Sequence, residues 1–189
     1  FGSTTMHLMR KCPCPVWVMK ASQPERHTRI LAAVDPAPFD EGQHAENLNA
    51  KIMDLATSLA QRDQCELVVV HTWTFPAENS LRSGYLVASD ELDKWVSEAR
   101  ELHRRRLAAL LRPYPLQDLK SQVYMLRGEP GHLIPQLAAK LDVGLIVMGT
   151  LSRTGVGGLL MGSAAEKILH QVDCSVLAVK PDGFVTPVR

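Results

Sequence analysis

A glycine-rich loop is the segment of this sequence best suited to chemistry. Residues 149 to 163 read Gly-Thr-Leu-Ser-Arg-Thr-Gly-Val-Gly-Gly-Leu-Leu-Met-Gly-Ser. Glycines permit positive φ and close approach of the backbone, and a helix that begins at Ser163 presents unpaired amides to an anion. The loop therefore predicts a phosphate site. Neither a GxxxxGK[ST] loop nor a complete GxGxxG fingerprint is present, which argues against ordinary P-loop NTPases and standard NAD-dependent dehydrogenases.

Three other features have a structural as well as a functional interpretation. Ser163 and Glu166 have the spacing of a capping box, which would satisfy the helix amides without any ligand. Asp35, followed by proline, either orders its turn or contacts a ligand. His71 ends an apolar run, and without a readable nucleophile or metal partner the sequence favours a hydrogen-bonded structural histidine over acid–base chemistry. We therefore predict no catalytic residue and no metal ligands.

Composition excludes several classes of protein. The 189 residues carry a formal net charge of +1 with 5% aromatic residues, which disfavours a nucleic-acid-binding protein. No apolar run approaches the roughly 20 residues of a membrane span, and no secretory signal is recognisable. The four cysteines lack CxxC or zinc-site spacing, so we expect free thiols and a cytoplasmic location. The chain begins at Phe1, and we expect that it starts inside a longer gene product.

The remaining elements alternate between strand and helix. Short apolar or β-branched segments predict strands at residues 29 to 34, 66 to 72, 121 to 127, 145 to 148 and 175 to 180. The run at 66 to 72 does not alternate, which predicts a strand covered on both faces. Amphipathic or apolar stretches predict helices at residues 42 to 62, 90 to 112, 131 to 141 and 163 to 171. The alternation predicts a doubly wound, open, parallel five-stranded α/β sheet, Rossmann-like with order 3-2-1-4-5. Ligands of such sheets bind where the strand order reverses.

The predicted helix at 90 to 112 carries a basic cluster. Its expected inward residues are apolar, namely Leu92, Trp95, Val96, Ala99, Leu102 and Leu110. Its cationic residues are Arg100, His103, Arg104, Arg105 and Arg106. Because Glu98 and Glu101 are interspersed with them, we interpret this cluster as a solvated face.

The two ends of the chain repeat one pattern at a constant offset of 160 residues. The pairs that match are Gly2 with Gly162, Ser3 with Ser163, Cys14 with Cys174, Val16 with Val176 and Lys20 with Lys180. This separation is a domain length, which indicates a tandem duplication. We predict a tail of a preceding domain at 1 to 20, a linker at 21 to 28, a complete domain at 29 to 183 and a C-terminal tail at 184 to 189.

These motifs together resemble the universal stress protein family. Its signature, Gly-two residues-Gly-nine residues-Gly-Ser/Thr after the fourth strand, is similar to the segment that contains Gly149, Gly162 and Ser163. Val34-Asp35, Gly128-Glu129-Pro130 and the final Ser175 to Lys180 segment extend the likeness over about residues 29 to 181. The tail, which contains Cys12-Pro13-Cys14-Pro15-Val16, resembles the tandem, E-type bacterial members.

The resemblance implies an ATP site, with magnesium as a companion ion. The residues implied by position are Ala33, Val34, Asp35, Met148, Gly149, Leu151, Ser152, Gly162, Ser163 and Ala164. Ser152 stands where the family has its second glycine, so a side chain replaces bare backbone close to the phosphates, unless its hydroxyl donates to them. The function implied is a noncatalytic stress-response module. The alternatives are a nucleotide-hydrolysing or adenylyl-transferring enzyme, in which weak ATPase activity is included, and an interaction domain that binds no nucleotide.

The strand at residues 16 to 19 predicts a partner. Detached from a sheet, it would expose hydrogen-bonding edges and Trp17 to water. Members of the family associate through their last strands. The resemblance therefore implies that Val16, Trp17, Val18 and Met19 lie antiparallel to Val176, Leu177, Ala178 and Val179, either as the end of a preceding domain or across a homodimer.

Overall fold

The computed structural model describes residues 1–20, 27–36, 43–76, 78–83, 88–150, 161–184 and 186. Its helices are α1 Ser3–Lys11, α2 Gln43–Asp63, α3 Glu78–Ser83, α4 Ser89–Leu111, α5 Pro130–Lys140 and α6 Ser163–Gln171. Its strands are β1 Val16–Val18, β2 Arg29–Ala33, β3 Glu66–Trp73, β4 Ser121–Arg127, β5 Leu145–Gly149 and β6 Ser175–Val179.

The described strands form one sheet in the order β1-β6-β5-β2-β3-β4. The five strands from β2 to β6 are parallel, and read from β4 inward their order is the 3-2-1-4-5 order predicted from the alternation of elements. The α/β fold class is thus confirmed. β1 adds a sixth strand, which runs antiparallel to β6. Every residue of β6 and the first four of β5 are buried, as the unbroken apolar runs predict for strands covered on both faces.

Helices cover both faces of the sheet and form two cores. One core contains Ile134 of α5 and Ile168 of α6, and Met6 and Met9 of α1 join it. The other contains Ile52 and Met53 of α2 and Leu107 of α4. Because α1 packs into the first core, the tail is integrated with the domain instead of lying apart from it.

The β1–β6 ladder is symmetric about one residue pair. Val16 lies opposite Ala178, Trp17 opposite Leu177 and Val18 opposite Val176. At the sequence offset of 160, Val16 corresponds to Val176, which pairs with Val18, and Trp17 corresponds to Leu177, its own partner. The ladder therefore has a local pseudo-twofold axis at the Trp17–Leu177 pair. Met19 is outside this ladder and is 64% exposed. The amide of the next residue, Lys20, donates to Ser175 Oγ (3.1 Å). Val179 pairs only with Gly149 of β5 in the described ladders.

The buried face of α4 differs from the predicted one. Leu92 is buried, as predicted, but Trp95 and Leu102 are exposed (36% and 42%), and Leu107, which was not predicted to face inward, is buried. The stripe that faces the sheet therefore passes through His103, which was assigned to the solvated face. Arg104 and Arg105 do lie on the solvated face, where both donate to Glu101.

Two further features complete the fold. The stretch after β3, which shows no sequence period, contains the short helix α3. Within the described part of the chain, no helix has the length and hydropathy that crossing a membrane requires.

Candidate functional site

A cavity of about 500 Å³ lies where the strand order reverses. Its walls include the carboxyl ends of β2 and β5 and the amino end of α6. Asp35 and Gly162 line the same cavity, although 126 positions separate them in the sequence. We call this cavity the crevice. Its position is the one at which open parallel sheets bind their ligands.

The structure brings most of the predicted binding residues together. Those that line the crevice are Ala33, Val34, Asp35, Met148, Gly149, Gly162, Ser163 and Ala164. Leu151 and Ser152 lie outside the described residues. The ends of that undescribed segment are close, because Gly162 N–H donates to the carbonyl of the buried Thr150 (2.9 Å).

The amino end of α6 has no side-chain cap. The capping-box interpretation is wrong because Gly162 is the N-cap, so Ser163 is the first helical residue, and no side-chain capping hydrogen bond forms. The carboxylate of Glu166 instead forms an ion pair with Arg10 of α1. The first bond within the helix runs from Glu166 N–H to Gly162 C=O (3.0 Å). Among the residues that the structure describes, none accepts a hydrogen bond from the amides of the turn before it, so these amides can face an anion.

Asn49 of α2 fixes the backbone of Asp35. Its Oδ1 accepts from Asp35 N–H (2.8 Å), and its Nδ2 donates to Asp35 C=O (2.8 Å). Asn49 is buried and lines the crevice beside Leu48 and Ile52. The Asp35 side chain is 59% exposed, so its orientation is set through the main chain while its carboxylate stays accessible.

We expect Asn49→Asp to lower the free energy of unfolding by about 2 kcal/mol at pH 7. One carboxylate oxygen keeps the bond from Asp35 N–H, but the other faces the Asp35 carbonyl without a proton to donate. The loss should shrink near pH 4, where the new carboxyl is protonated. Urea unfolding at both pH values measures this. Asn47→Asp, on the exposed face of α2, is the matched control, and an equal loss there would contradict this role for Asn49.

His71 and His103 are hydrogen-bonded to each other, and His103 lines the crevice. His71 is fully buried, with Nδ1 3.3 Å from the carbonyl oxygen of Val34 and Nε2 2.9 Å from Nδ1 of His103. The His103 ring stacks on Trp73 with 5.4 Å between centroids. His71 is therefore a hydrogen-bonded histidine, as predicted, and it also positions a second histidine on the crevice wall.

Gly128 shapes the wall that follows β4. Its φ of +140° suits glycine, and an added Cβ would lie 2.9 Å from Cδ1 of Leu133. Gly128 N–H donates to the Trp73 carbonyl (2.9 Å), which carries the β3–β4 pairing into the turn. Glu129 and Pro130, which start α5, line the crevice as a result.

Lys180 is buried at the same edge of the sheet. Its ammonium donates to Thr150 Oγ1 and lies 5.0 Å from the centroid of the Phe184 ring. Burial lowers the pKa of Lys180 to about 8. The sequence placed Lys180 only at the end of the last strand, with no signal of its burial.

Metal and thiol chemistry find little support among the described residues. They contain no group of three or more His, Cys, Asp or Glu side chains that is arranged to hold a metal ion. Cys12, Cys14, Cys65 and Cys174 are free thiols. Burial raises the pKa of Cys174 to about 11, so this thiol is protonated at neutral pH.

Sequence comparisons agree with this fold. The profile described as "Universal stress protein family" matches residues 27–180. Universal stress protein E of Escherichia coli K12 is 30% identical over 192 residues, which span 100% of this chain and 58% of that protein. The Universal stress protein E homolog of Haemophilus influenzae is 25% identical, covering 96% of this chain and 57% of its own length. The chain thus spans little more than half the length of these relatives.

Solved structures have the same fold as this chain. A functionally unknown protein from Pseudomonas aeruginosa PAO1 has a TM-score of 0.74 and 30% identity, with 96% of this chain and 57% of that chain covered. Universal stress protein UspA of Lactobacillus plantarum has a TM-score of 0.54 at 20% identity, with 83% and 100% covered, and supports the fold alone. Since the family profile covers more than half of the sequence, the chain belongs to the universal stress protein family.

Proposed function

We propose that this chain is a noncatalytic stress-response module whose crevice binds an adenine nucleotide, with ATP as the first ligand to test. The observation that carries the proposal is that the start of α6, whose amides no described side chain caps, and the carboxyl ends of β2 and β5 line one cavity of about 500 Å³. Cavities of about 300–1,000 Å³ are typical of small-molecule sites. Helix amino ends attract phosphate, so the cavity suits a ligand with an anionic end.

The two ends of the crevice favour one orientation of the ligand. The phosphates would lie at Ser163 and Ala164, where the helix amides are available. The base and ribose would lie toward Asp35, Thr72 and Trp73 at the ends of β2 and β3. Magnesium would arrive with the triphosphate, because this ion is commonly held through substrate phosphates and water.

Ala164→Glu is expected to weaken ATP binding at least about tenfold, because a carboxylate in the first turn of α6 repels the phosphates. The same carboxylate interacts favourably with the helix dipole, so the free energy of unfolding should be unchanged or slightly higher. Ala164→Gln has nearly the same size without the charge and is the matched control. Isothermal titration with ATP and magnesium, together with urea unfolding, separates the effect on the ligand from the effect on the fold.

Three results would count against the proposal. The absence of heat and of a thermal shift with ATP would favour an interaction domain that binds no nucleotide. Equal ATP affinities of Ala164→Glu and Ala164→Gln would indicate that the phosphates bind away from the first turn of α6. Phosphate release above that of a Ser163→Ala control would favour the nucleotide-hydrolysing enzyme, for which the supporting observation is that His103 on the crevice wall is hydrogen-bonded to the buried His71.

We also propose that residues 1–20 are the end of a preceding domain, joined by a linker at 21–28 to a complete domain at 29–183. The pseudo-twofold β1–β6 ladder supports this, because two tandem copies that share their last strands would be related in the same way. A homodimer that exchanges these strands is the alternative partner. Four free thiols favour a reducing compartment, and we propose the cytoplasm.

A further inference from the structure

An ion pair joins the tail to the amino end of α6. The Arg10 guanidinium of α1 pairs with the carboxylate of Glu166, which lies in the first turn of α6. Both side chains are accessible to solvent (46% and 41% exposed). The backbone of Arg10 is held in place because the preceding residue, Met9, is buried in the core that also contains Ile168 of α6. A cation of the tail therefore stands beside the helix end that lines the crevice.

The internal symmetry of the chain does not require this ion pair. At the sequence offset of 160, Glu166 corresponds to Met6 and Arg10 corresponds to His170. The contact related by the pseudo-twofold axis would join His170 to Met6, which carries no charge. The first turn of α1 contains no acidic residue, whereas the first turn of α6 contains Glu166. The ion pair is therefore a property of this end of α6 and not of the repeated helix packing.

Glu166 is close enough to the proposed phosphate position to affect a charged ligand. Residues three positions apart on a helix are neighbours, with Cβ atoms about 5–6 Å apart, so Glu166 is a neighbour of Ser163. Ser163 lines the crevice. A charge at roughly 10 Å from a phosphate group changes the affinity about twofold for each unit of ligand charge in a water-like medium. Without a cation beside it, the Glu166 carboxylate would therefore disfavour a polyphosphate.

We propose that Arg10 is a specificity-determining residue of the crevice, because it neutralises Glu166 and so allows the amino end of α6 to accept a ligand with several negative charges. The inference rests on the proposed nucleotide function. It gives the tail a part in selecting the ligand, since the charge of Arg10 acts on a polyphosphate and not on an uncharged nucleoside. By linkage, a polyphosphate bound at α6 stabilises the docked position of α1 by the same factor by which docked α1 strengthens binding.

The test compares the wild type, Arg10→Gln, Glu166→Gln and the double variant. Isothermal titration with ATP and magnesium is carried out at an ionic strength of about 0.01 M, where charges are screened only over about 30 Å. Arg10→Gln is expected to bind ATP about threefold more weakly than the wild type, and Glu166→Gln about threefold more tightly. The double variant should match the wild type, because both charges are removed. Every other charge of the chain is the same in the four proteins.

A distant arginine provides the matched control. Arg112 is exposed at the carboxyl end of α4, shortly before β4 begins. It therefore lies toward the amino ends of the strands, opposite the edge that holds the crevice. Arg112→Gln makes the same change in net charge as Arg10→Gln and should bind ATP like the wild type. Urea unfolding should give similar midpoints for all variants, since exposed ion pairs add little stability.

Ligand charge and salt provide a second readout. Adenosine should bind with the same affinity to the wild type, to both single variants and to the double variant, because it carries no charge for the pair to act on. Raising the ionic strength to about 0.15 M, where the screening length is about 8 Å, should reduce the differences in ATP affinity to less than about twofold.

The outcomes separate a charge effect from a structural one. If the ion pair acted by holding α6 in place, both single variants and the double variant would bind ATP and adenosine more weakly. That result, or equal ATP affinities of the four proteins at low salt, would overturn the inference and leave the nucleotide function intact. Absence of ATP binding by the wild type would remove the nucleotide function and the inference together.

Discussion

Replacing Lys180 with methionine is expected to abolish a rise of roughly 3 kcal/mol in the free energy of unfolding between pH 8 and pH 10.5. Burial lowers the pKa of Lys180 from the ordinary value of 10.5 to about 8, because Lys180 is only 2% exposed and its charged form loses hydration in the folded chain. Over this pH interval the unfolded chain binds more protons than the folded one. The cost of the buried charge is thus fully present below pH 8 and disappears as pH rises through this interval.

Subtracting the pH profile of Lys180→Met from that of the wild type isolates the contribution of Lys180 to the free energy of unfolding. Burial raises the pKa of Cys174 to about 11 and that of Tyr114 to about 12, so these groups lower stability as pH rises above their ordinary values. Both effects are shared by the wild type and the variant and cancel on subtraction. Lys94→Met, at an exposed position of α4, should leave the wild-type profile unchanged. Urea unfolding at half-unit pH steps is the measurement, and parallel profiles for wild type and Lys180→Met would show that the buried ammonium carries no such cost.

The sheet could be predicted because each of its parallel strands is marked by a short local pattern in the sequence. The runs at 66–72 and 145–148 are too apolar to alternate, and the structure buries them on both faces. The position of the crevice followed from topology, since carboxyl ends of parallel strands meet at one edge. α3 could not be predicted, because its six residues show no hydrophobic period.

The site was predicted where it depends on strand ends and missed where it depends on helices. Asn49 and His103 reach the crevice from α2 and α4, far from the glycine loop in sequence. A signal existed for both, since each is a polar residue on the apolar stripe of its helix: Asn49 lies between Leu48 and Ile52, and His103 lies one turn before Leu107. The presence of basic neighbours on α4 led to the assignment of His103 to the solvated face.

The glycines of the site serve a purpose that the sequence did not specify. The sequence predicts positive φ for the loop glycines, but Gly162 has an ordinary φ of −67°, and among the described glycines that line the crevice it is Gly128 that has a positive φ. Gly149 is required for space, since a Cβ there would lie 2.9 Å from Leu48 Cδ2 and 3.8 Å from Ile52 Cδ1. The spacing of the motif identifies the glycine positions, but the packing around each position explains why a larger residue does not fit there.

Gly149→Val is expected to reduce ATP affinity by about thirtyfold or more and to lower the free energy of unfolding by about 1–3 kcal/mol through overpacking. The contact falls on the end of the Leu48 side chain, which can turn away more cheaply than α2 can shift. Leu48 itself lines the crevice, so its displacement occupies the space that the ligand needs. Isothermal titration and urea unfolding measure the two effects.

The double variant Gly149→Val with Leu48→Ala tests this explanation directly. Removing the Leu48 side chain opens the space that the valine requires, so affinity and stability should both recover relative to Gly149→Val alone, with a coupling energy of about 1–2 kcal/mol between the two sites. Leu48→Ala in the wild-type background is the control, and it should leave affinity within a few fold. If the two single effects simply added, the valine would be acting through the backbone of β5 instead of through Leu48. The close approach of α2 to Gly149 would then have no part in keeping the crevice open.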